Sequence, residues 1–421
     1  MKDYIYDEVD DFGGDKIPFD LRPISRTRVG HKTPVNSAAV TKRTRILSII
    51  LMVCVAINLA LGGLIIKLII NTNVTPVINS PTINITVDGD NTVAAASTKG
   101  KLSAVCVSAG LRSGIGEVNY NNFFSLASRG AGIVTGLDKT AGTAIITTCY
   151  HVIENYTDEV YILFYGSYKP VKATTINYSK TYDIAVLKVE DNEVKASPCA
   201  VAEIADSSAV VEGEPAIAIG NPLALGISVS SGIISSPVNI ISIEGISTRA
   251  IKVDTPINSG NSGGGLFNSK GQLIGIVNAK LIDEKIDNVG FAIPSNVAIG
   301  LTNSIVKNGN AKPRKASLPF TYSILKTGNS IDATGKLAQT IIVDTVKASG
   351  LVGVGTTPNI QSGDVLVSIK IGEKTTMIDN LYDLDDQLFG LDNGDVIEIT
   401  LKRGTSANVT YSLKITAITY V

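Results

Sequence analysis

Tryptophan is absent from these 421 residues and histidine occurs only twice, as His31 and His151, so any imidazole chemistry has two candidates. Neither sign of charge is in excess. With 37 basic against 38 acidic residues there is no global field to draw nucleic acid or an acidic polymer, and no nucleic-acid partner is expected. The four cysteines, Cys54, Cys106, Cys149 and Cys199, include no C-x-x-C pair and no neighbouring histidine cluster, which argues against a structural zinc site. They support no disulfide framework either, and read as buried, inert side chains. Long amphipathic helical patterns are scarce, which argues against a doubly wound α/β fold. What is present is 44 % hydrophobic residues, enough for sizeable buried cores, and 39 glycines, which suit a turn-rich β protein.

One run lacks charge altogether. Ile46 to Ile66 runs without a charge, long enough as a helix to cross a hydrocarbon core of roughly 30 Å, with Lys67 able to reach the interface. Some forty residues precede it and no A-x-A site follows, so it reads as an uncleaved anchor and not as a signal peptide. Lys42, Arg43 and Arg45 stand just before it, whereas no Lys or Arg follows Lys67 until Lys99, which predicts a cytoplasmic N-terminus and an extracytoplasmic remainder. The expected organisation is a cytoplasmic tail (1–45), a transmembrane anchor (46–70), an extended linker (71–100), a β-rich domain (101–310) and a second small domain (311–421).

In the first of those domains, β-branched runs alternate with Gly/Asn/Asp/Pro turns: TAIITT (143–148), VYILFY (160–165), DIAVLKV (183–189), EPAIAIG (214–220), AIKVD (250–254) and QLIGIV (272–277). This spacing predicts an all-β sandwich or barrel. KNGNAKPRK (307–315) reads as a hinge, and Leu381, Leu384 and Leu388 at helical spacing predict one short helix in the last domain.

Ser262 lies in SGNSGGGLF (259–267), a glycine-rich turn between two strand runs, where small residues let backbone N–H groups converge on one point. No G-K-[ST] follows, so the turn is not a phosphate-binding loop. A serine nucleophile needs a base. The predicted topology puts His31 on the cytoplasmic side, which leaves His151, at the end of a strand run in AIITTCYHVIE (144–154). The base needs a carboxylate in turn, and Asp183 opens DIAVLKV, although spacing alone does not choose it over Asp191 or Asp206. The order His151, Asp183, Ser262 is that of chymotrypsin-like barrels, not of subtilisins or α/β-hydrolases.

ITTCYHVIE, TYDIAVLKV and VDTPINSGNSGGGLFNSKGQLIGIV resemble the histidine, aspartate and serine motifs of HtrA/DegP-type serine proteases; AIAIGNPLALGISVSSGIISS and VGFAIPSN resemble further segments of that family. The resemblance implies a chymotrypsin-like double β-barrel. It makes His151 the general base, Asp183 its orienter, Ser262 the nucleophile, and the N–H groups of Gly260 and Ser262 the oxyanion hole. It implies no metal or organic cofactor, unfolded or damaged proteins as substrates, and homotrimers. The family's geometry also suggests an uncharged specificity pocket around Pro256, Ile276 and Asn278 that takes aliphatic side chains. Cys149 and Tyr150 stand where the family usually has asparagines, and Gly265 where it usually has proline. Residues 343–374 and 393–404 resemble a PDZ module, with a carboxylate-binding loop near Phe320 to Ile324 in which Ser323 replaces the usual glycine. Such a module captures C-terminal peptides by adding a strand to a sheet edge. The alternative on the same fold is a non-hydrolytic chaperone or peptide-binding regulator.

Overall fold

A computed structural model describes residues 92–421, apart from 222–225, 244–245, 280–288, 310–311, 326–329, 332–336, 348–349 and 356. The tail, the anchor and most of the linker expected from the sequence lie outside the described residues. Among the described residues no helix is long and apolar enough to cross a membrane.

The end of the expected linker is not extended. Thr92–Lys101 forms a helix, α1, because its alanine run is strongly helix-forming and because Ala96 and Gly100, four residues apart, are buried on one face. That face packs on the strands of the second barrel.

Six strands follow: β1 (Ala104–Ala109), β2 (Ser128–Asp138), β3 (Thr143–Cys149), β4 (Val160–Phe164), β5 (Val171–Ser179) and β6 (Ile184–Glu190). They close into a barrel in the order β1-β2-β3-β6-β5-β4. A second closed barrel, β10-β11-β12-β9-β8-β7, is built from β7 (Pro215–Gly220), β8 (Ser228–Ile243), β9 (Ile246–Val253), β10 (Gly265–Phe267), β11 (Leu273–Val277) and β12 (Gly290–Pro294). All neighbouring strands are antiparallel, and closure leaves neither sheet a free edge. One continuous core runs from Val105 and Ile146 in the first barrel to Ile219 and Phe267 in the second.

Helix α2 (Ser295–Asn308) is the element that the strand-by-strand reading of the sequence passes over. It lies against β5 and β6 on one side and β11 and β12 on the other. Its Thr302 hydroxyl donates to Ala298 O at 2.8 Å and meets Thr147 of β3 at 2.9 Å, so its polar side chain is satisfied inside the core.

The expected hinge is partly a strand, β13 (Arg314–Ser317), paired with the last strand of the chain. Beyond it, β14 (Phe320–Ile324), β15 (Ser330–Ile331), β16 (Leu337–Ala338), β17 (Ile341–Val346), β18 (Val365–Ile371), β19 (Lys374–Met377), β20 (Val396–Lys402), β21 (Val409–Lys414) and β22 (Ala417–Tyr420) surround the predicted helix, α3 (Leu381–Gln387). The main sheet runs β14-β17-β18-β20-β21, which makes β14 an edge strand. Leu384 and Leu388 bury against Ile341, Ile369 and Ile399 in a separate core.

The described residues nonetheless belong to one compact unit, and α3 is where the C-terminal body is fastened to the barrels. Arg249 of β9 is 2 % exposed, and its guanidinium is fully used. Nη1 donates to Asp386 at 2.9 Å, Nη2 to Ser207 O at 2.8 Å and Nε to Pro237 O at 3.0 Å, with Asp383 at 4.0 Å. Phe389 packs edge-on against Tyr182 at 4.9 Å between centroids, and Gly300 of α2 must be glycine because a Cβ there would lie 2.5 Å from that of Phe389.

Burial pushes Asp386 up to about 7, against the pull of Arg249 and with Asp385 and Asp383 adding to the rise. A carboxyl raised in the folded state stabilises the fold most where it is protonated, and that contribution is lost as pH rises from about 4 towards 7. Thermal unfolding of Asp386→Asn is accordingly expected to fall less steeply over that window than that of the unaltered chain. Equal slopes would place the titrating proton elsewhere.

Candidate active site

His151 sits in the single helical turn Tyr150–Val152 that ends β3, and Asp183 sits immediately before β6, the strand paired with β3. The register puts Cys149 opposite Ile184, so the two chain ends lie side by side. Tyr150 N–H donates to Asp183 O at 3.1 Å and Asp183 N–H to Lys180 O at 3.2 Å. Within that turn Asp183 has φ +53°, the only non-glycine residue with positive φ among the described residues, a conformation that Asp tolerates better than most.

Asp183 is 4 % exposed and its side chain is surrounded by donors. Oδ1 accepts the His151 backbone N–H at 2.8 Å, and Oδ2 lies 2.6 Å from His151 Nδ1. Asn278, fully buried at the end of β11, donates its Nδ2 to the same Oδ2 at 2.7 Å. A carboxylate only accepts, so these contacts fix the neutral imidazole as the Nδ1–H tautomer and leave Nε2 a free acceptor.

Ser262 comes from the second barrel, in the turn between β9 and β10, and is 4 % exposed. Its carbonyl accepts Ala131 N–H from β2 at 2.8 Å, and its hydroxyl accepts Ala279 N–H at 3.1 Å. Adjacent residues, Asn278 and Ala279, thus reach Asp183 and Ser262. Gly263 has φ +82°, and a Cβ there would lie 2.2 Å from Ala131 O and from Thr148 Oγ1, so only glycine lets this turn approach the His151 strand. Among the described residues no hydrogen bond joins Ser262 Oγ to the imidazole. Gly260 is buried with φ +99°, and neither its N–H nor that of Ser262 donates to another described residue.

The three expected pocket residues have different surroundings. Ile276 is fully buried in the core, Asn278 is committed to Asp183, and Pro256 is exposed with its carbonyl accepting Ser230 Oγ at 2.8 Å. β11 is buried along its whole length, so Ile276 is core, and Asn278 follows the strand's last residue and turns to Asp183. Asp191 and Asp206, the alternatives to Asp183, cap short helical turns: Asp191 accepts Glu193 N–H at 2.8 Å and Asp206 accepts Ser208 N–H at 3.0 Å. Cys149 is fully buried, and burial followed by the Asp183 charge holds its thiol well above the usual range, so it is no rival nucleophile.

A profile of the trypsin-like peptidase domain matches residues 130–276. The chain is 32 % identical over 313 residues to the serine protease Do-like HtrA of Lactococcus lactis subsp. cremoris, covering 71 % of this chain and 74 % of that protein. It belongs to the HtrA family of serine proteases. The Do-like HtrA of Lactococcus lactis subsp. lactis is 31 % identical over 308 residues, covering 70 % of this chain and 72 % of that protein. Among solved structures, the HtrA-type protease AlgW with tripeptide aligns at 21 % identity and a TM-score of 0.47, over 77 % of this chain and 96 % of that one. The family match makes the HtrA chain a serine endopeptidase, and its two closed barrels form a mainly β, chymotrypsin-like double barrel.

The Asn278 contact was not legible as such, because an amide after an apolar run carries no sign of which carboxylate it will meet. A hydrogen bond to a charged group is worth about 1.5–3 kcal/mol. If His151 is the base, Asn278→Ala is expected to lower kcat by roughly tenfold with KM little changed, since the bond reaches His151 through Asp183 and not bound substrate. Steady-state peptide hydrolysis measures both constants.

Proposed function

We propose that the chain hydrolyses unfolded or damaged proteins outside the membrane through His151, Asp183 and Ser262. The observation that carries the reading is the cage of donors on Asp183, which holds His151 Nδ1–H and leaves Nε2 free to act as base. In this mechanism Ser262 Oγ directs its proton towards Nε2, gives it up and attacks the substrate carbonyl. The N–H groups of Gly260 and Ser262, neither spent on another described residue, receive the developing oxyanion. The imidazolium then protonates the leaving amine, and water, deprotonated by the same nitrogen, releases the acyl group.

A second layer to this reading starts from the absence, among the described residues, of a hydrogen bond from Ser262 Oγ to the imidazole: substrate or an activating peptide would complete that contact while Ala279 N–H still donates to Oγ. Residues 101–310 would be the protease domain and 311–421 a PDZ-like domain whose edge strand β14 faces α3. Tyr322 hydroxyl donates to Asp385 at 2.9 Å and Ser323 to Asp344 at 2.7 Å, so a peptide added to β14 would meet a tethered strand. The anchor at 46–70 would hold both domains on the extracytoplasmic side, as homotrimers by family resemblance.

The test is hydrolysis of unfolded casein by the purified chain, with and without C-terminal peptides, beside Ser262→Ala. The proposal expects turnover that this variant abolishes while its unfolding temperature is kept. Turnover that survives in Ser262→Ala contradicts it.

A further inference from the structure

We propose that Cys149, His151 and Asp183 form an inhibitory site for a thiophilic divalent cation of the zinc class. The inference rests on the reading of His151 as general base. A ligand atom from each of the three, the Cys149 thiol, an imidazole nitrogen and an Asp183 carboxylate oxygen, lies within 4.8 Å of the others. Tetrahedral donors that bind one zinc ion at about 2.0–2.3 Å stand roughly 3.3–3.8 Å apart, so the widest pair of the cluster closes by up to about an ångström when the ion enters. The Nδ1 to Oδ2 separation of 2.6 Å must open instead, because tetrahedral ligands sit roughly 3.3 Å or more apart.

The donor set selects the ion. Sulfur and imidazole nitrogen favour zinc and cadmium over magnesium and calcium, which take oxygen cages. Charge favours it as well: a thiolate and a carboxylate neutralise a divalent ion, and a buried neutral site escapes the penalty of an unpaired charge. Val277 O, 3.4 Å from Cys149 Sγ and already accepting Gly263 N–H, offers a fourth ligand, or a water fills that position. His151 is the most exposed of the three, with 18 % of its side chain accessible, so the ion enters from the cleft past the imidazole.

Binding would stop catalysis without touching Ser262. The Cys149 thiol releases its proton to solvent as the metal–sulfur bond forms. His151 binds the ion through Nδ1, and the proton that nitrogen carried moves through solvent to Nε2. No proton is lost from the ring, but Nε2 is now a donor and cannot take the proton of Ser262. The Asp183–imidazole hydrogen bond is replaced by two metal bonds. Cys149 is thus the feature that makes this histidine a metal ligand, two residues before it and on the neighbouring strand end to Asp183.

The experiment titrates zinc, with magnesium as control, into the full chain during peptide hydrolysis, and cadmium into Ser262→Ala while the ultraviolet thiolate–cadmium band is followed. Zinc should inhibit, a chelator should restore turnover, and magnesium should do neither. Cys149→Ala and Cys149→Ser should each raise the half-inhibiting zinc concentration about tenfold or more relative to their own metal-free rate, the usual cost of losing a ligand or its support. In Ser262→Ala a cadmium band of one thiolate should appear and be lost when Cys149→Ala is added, with unfolding temperatures showing that each variant is folded. Equal inhibition with and without Cys149, or a band unchanged by its removal, overturns the site. Failure of the catalytic reading shows separately, as hydrolysis that survives His151→Ala.

Discussion

Asp183→Asn is expected to lower kcat by a factor on the order of 10⁴ while the barrel stays folded. The carboxylate accepts from His151 N–H, His151 Nδ1 and Asn278 Nδ2, so three donors converge on one acceptor-only group. An amide in its place presents donors of its own to part of that cage and favours the imidazole tautomer that carries its proton on Nε2. The base is then in place but cannot accept. KM should change little, because Asp183 is buried behind the ring and touches no substrate. The two carboxylates that the sequence left open serve as controls. Asp191 and Asp206 cap helical turns, so Asp191→Asn should cost about 1 kcal/mol of stability or less, Asp206→Asn more because Asp206 also accepts from Ser208 Oγ and Asn296 and pairs with Lys374, and both should leave kcat within a few-fold. Stopped assays on the four proteins measure it, and a loss of 10³ or more in either control would assign the orienting role wrongly.

Arg249→Leu is expected to destabilise the docked C-terminal body by about 3–5 kcal/mol. The guanidinium is fully buried between the second barrel and α3, and its removal strands Asp386, 4 % exposed, together with two carbonyls, those of Ser207 and Pro237. Asp386, already raised to about 7, then takes up a proton more readily, so most of the cost is the buried carboxyl and carbonyls left without their donor, not the lost attraction. Arg249→Leu combined with Asp386→Leu should therefore recover most of the loss, as an apolar pair of similar volume often replaces a buried ion pair at no cost. Denaturant unfolding with limited proteolysis of the seam reads both. A single variant within about 1 kcal/mol of the unaltered chain would mean that water reaches Asp386 and that α3 is not clamped.

The barrels were legible because each rests on a local signal. Runs such as TAIITT and VYILFY are β-branched, short and bounded by turns, and they fall in β3 and β4. The chemistry-bearing residues stood out for a different reason. Two histidines are few enough to sort, and the glycines after Ser262 mark a turn that must approach another strand closely, as the contacts of Gly263 bear out. What stayed hidden depends on partners far along the chain. Arg249 looks like a solvated strand residue until α3, 137 positions later, supplies Asp386. Asn278 looks like a pocket wall until the barrel turns it towards Asp183. Helix α1 is masked by its Thr and Ser content, although Ala96 and Gly100 already mark the face it buries. Helix α2 is missed because its apolar stripe is interrupted by Thr302 and Ser304, which are buried all the same.

The central claim is that Ser262 is a nucleophile activated by His151, and a fluorophosphonate that reacts only with activated serines tests it most directly. Peptide mapping of the labelled full chain should find one modified serine, Ser262, with labelling slowed by several orders of magnitude in His151→Ala, whose base is gone. Label on a different serine, or equal labelling rates with and without His151, would contradict it.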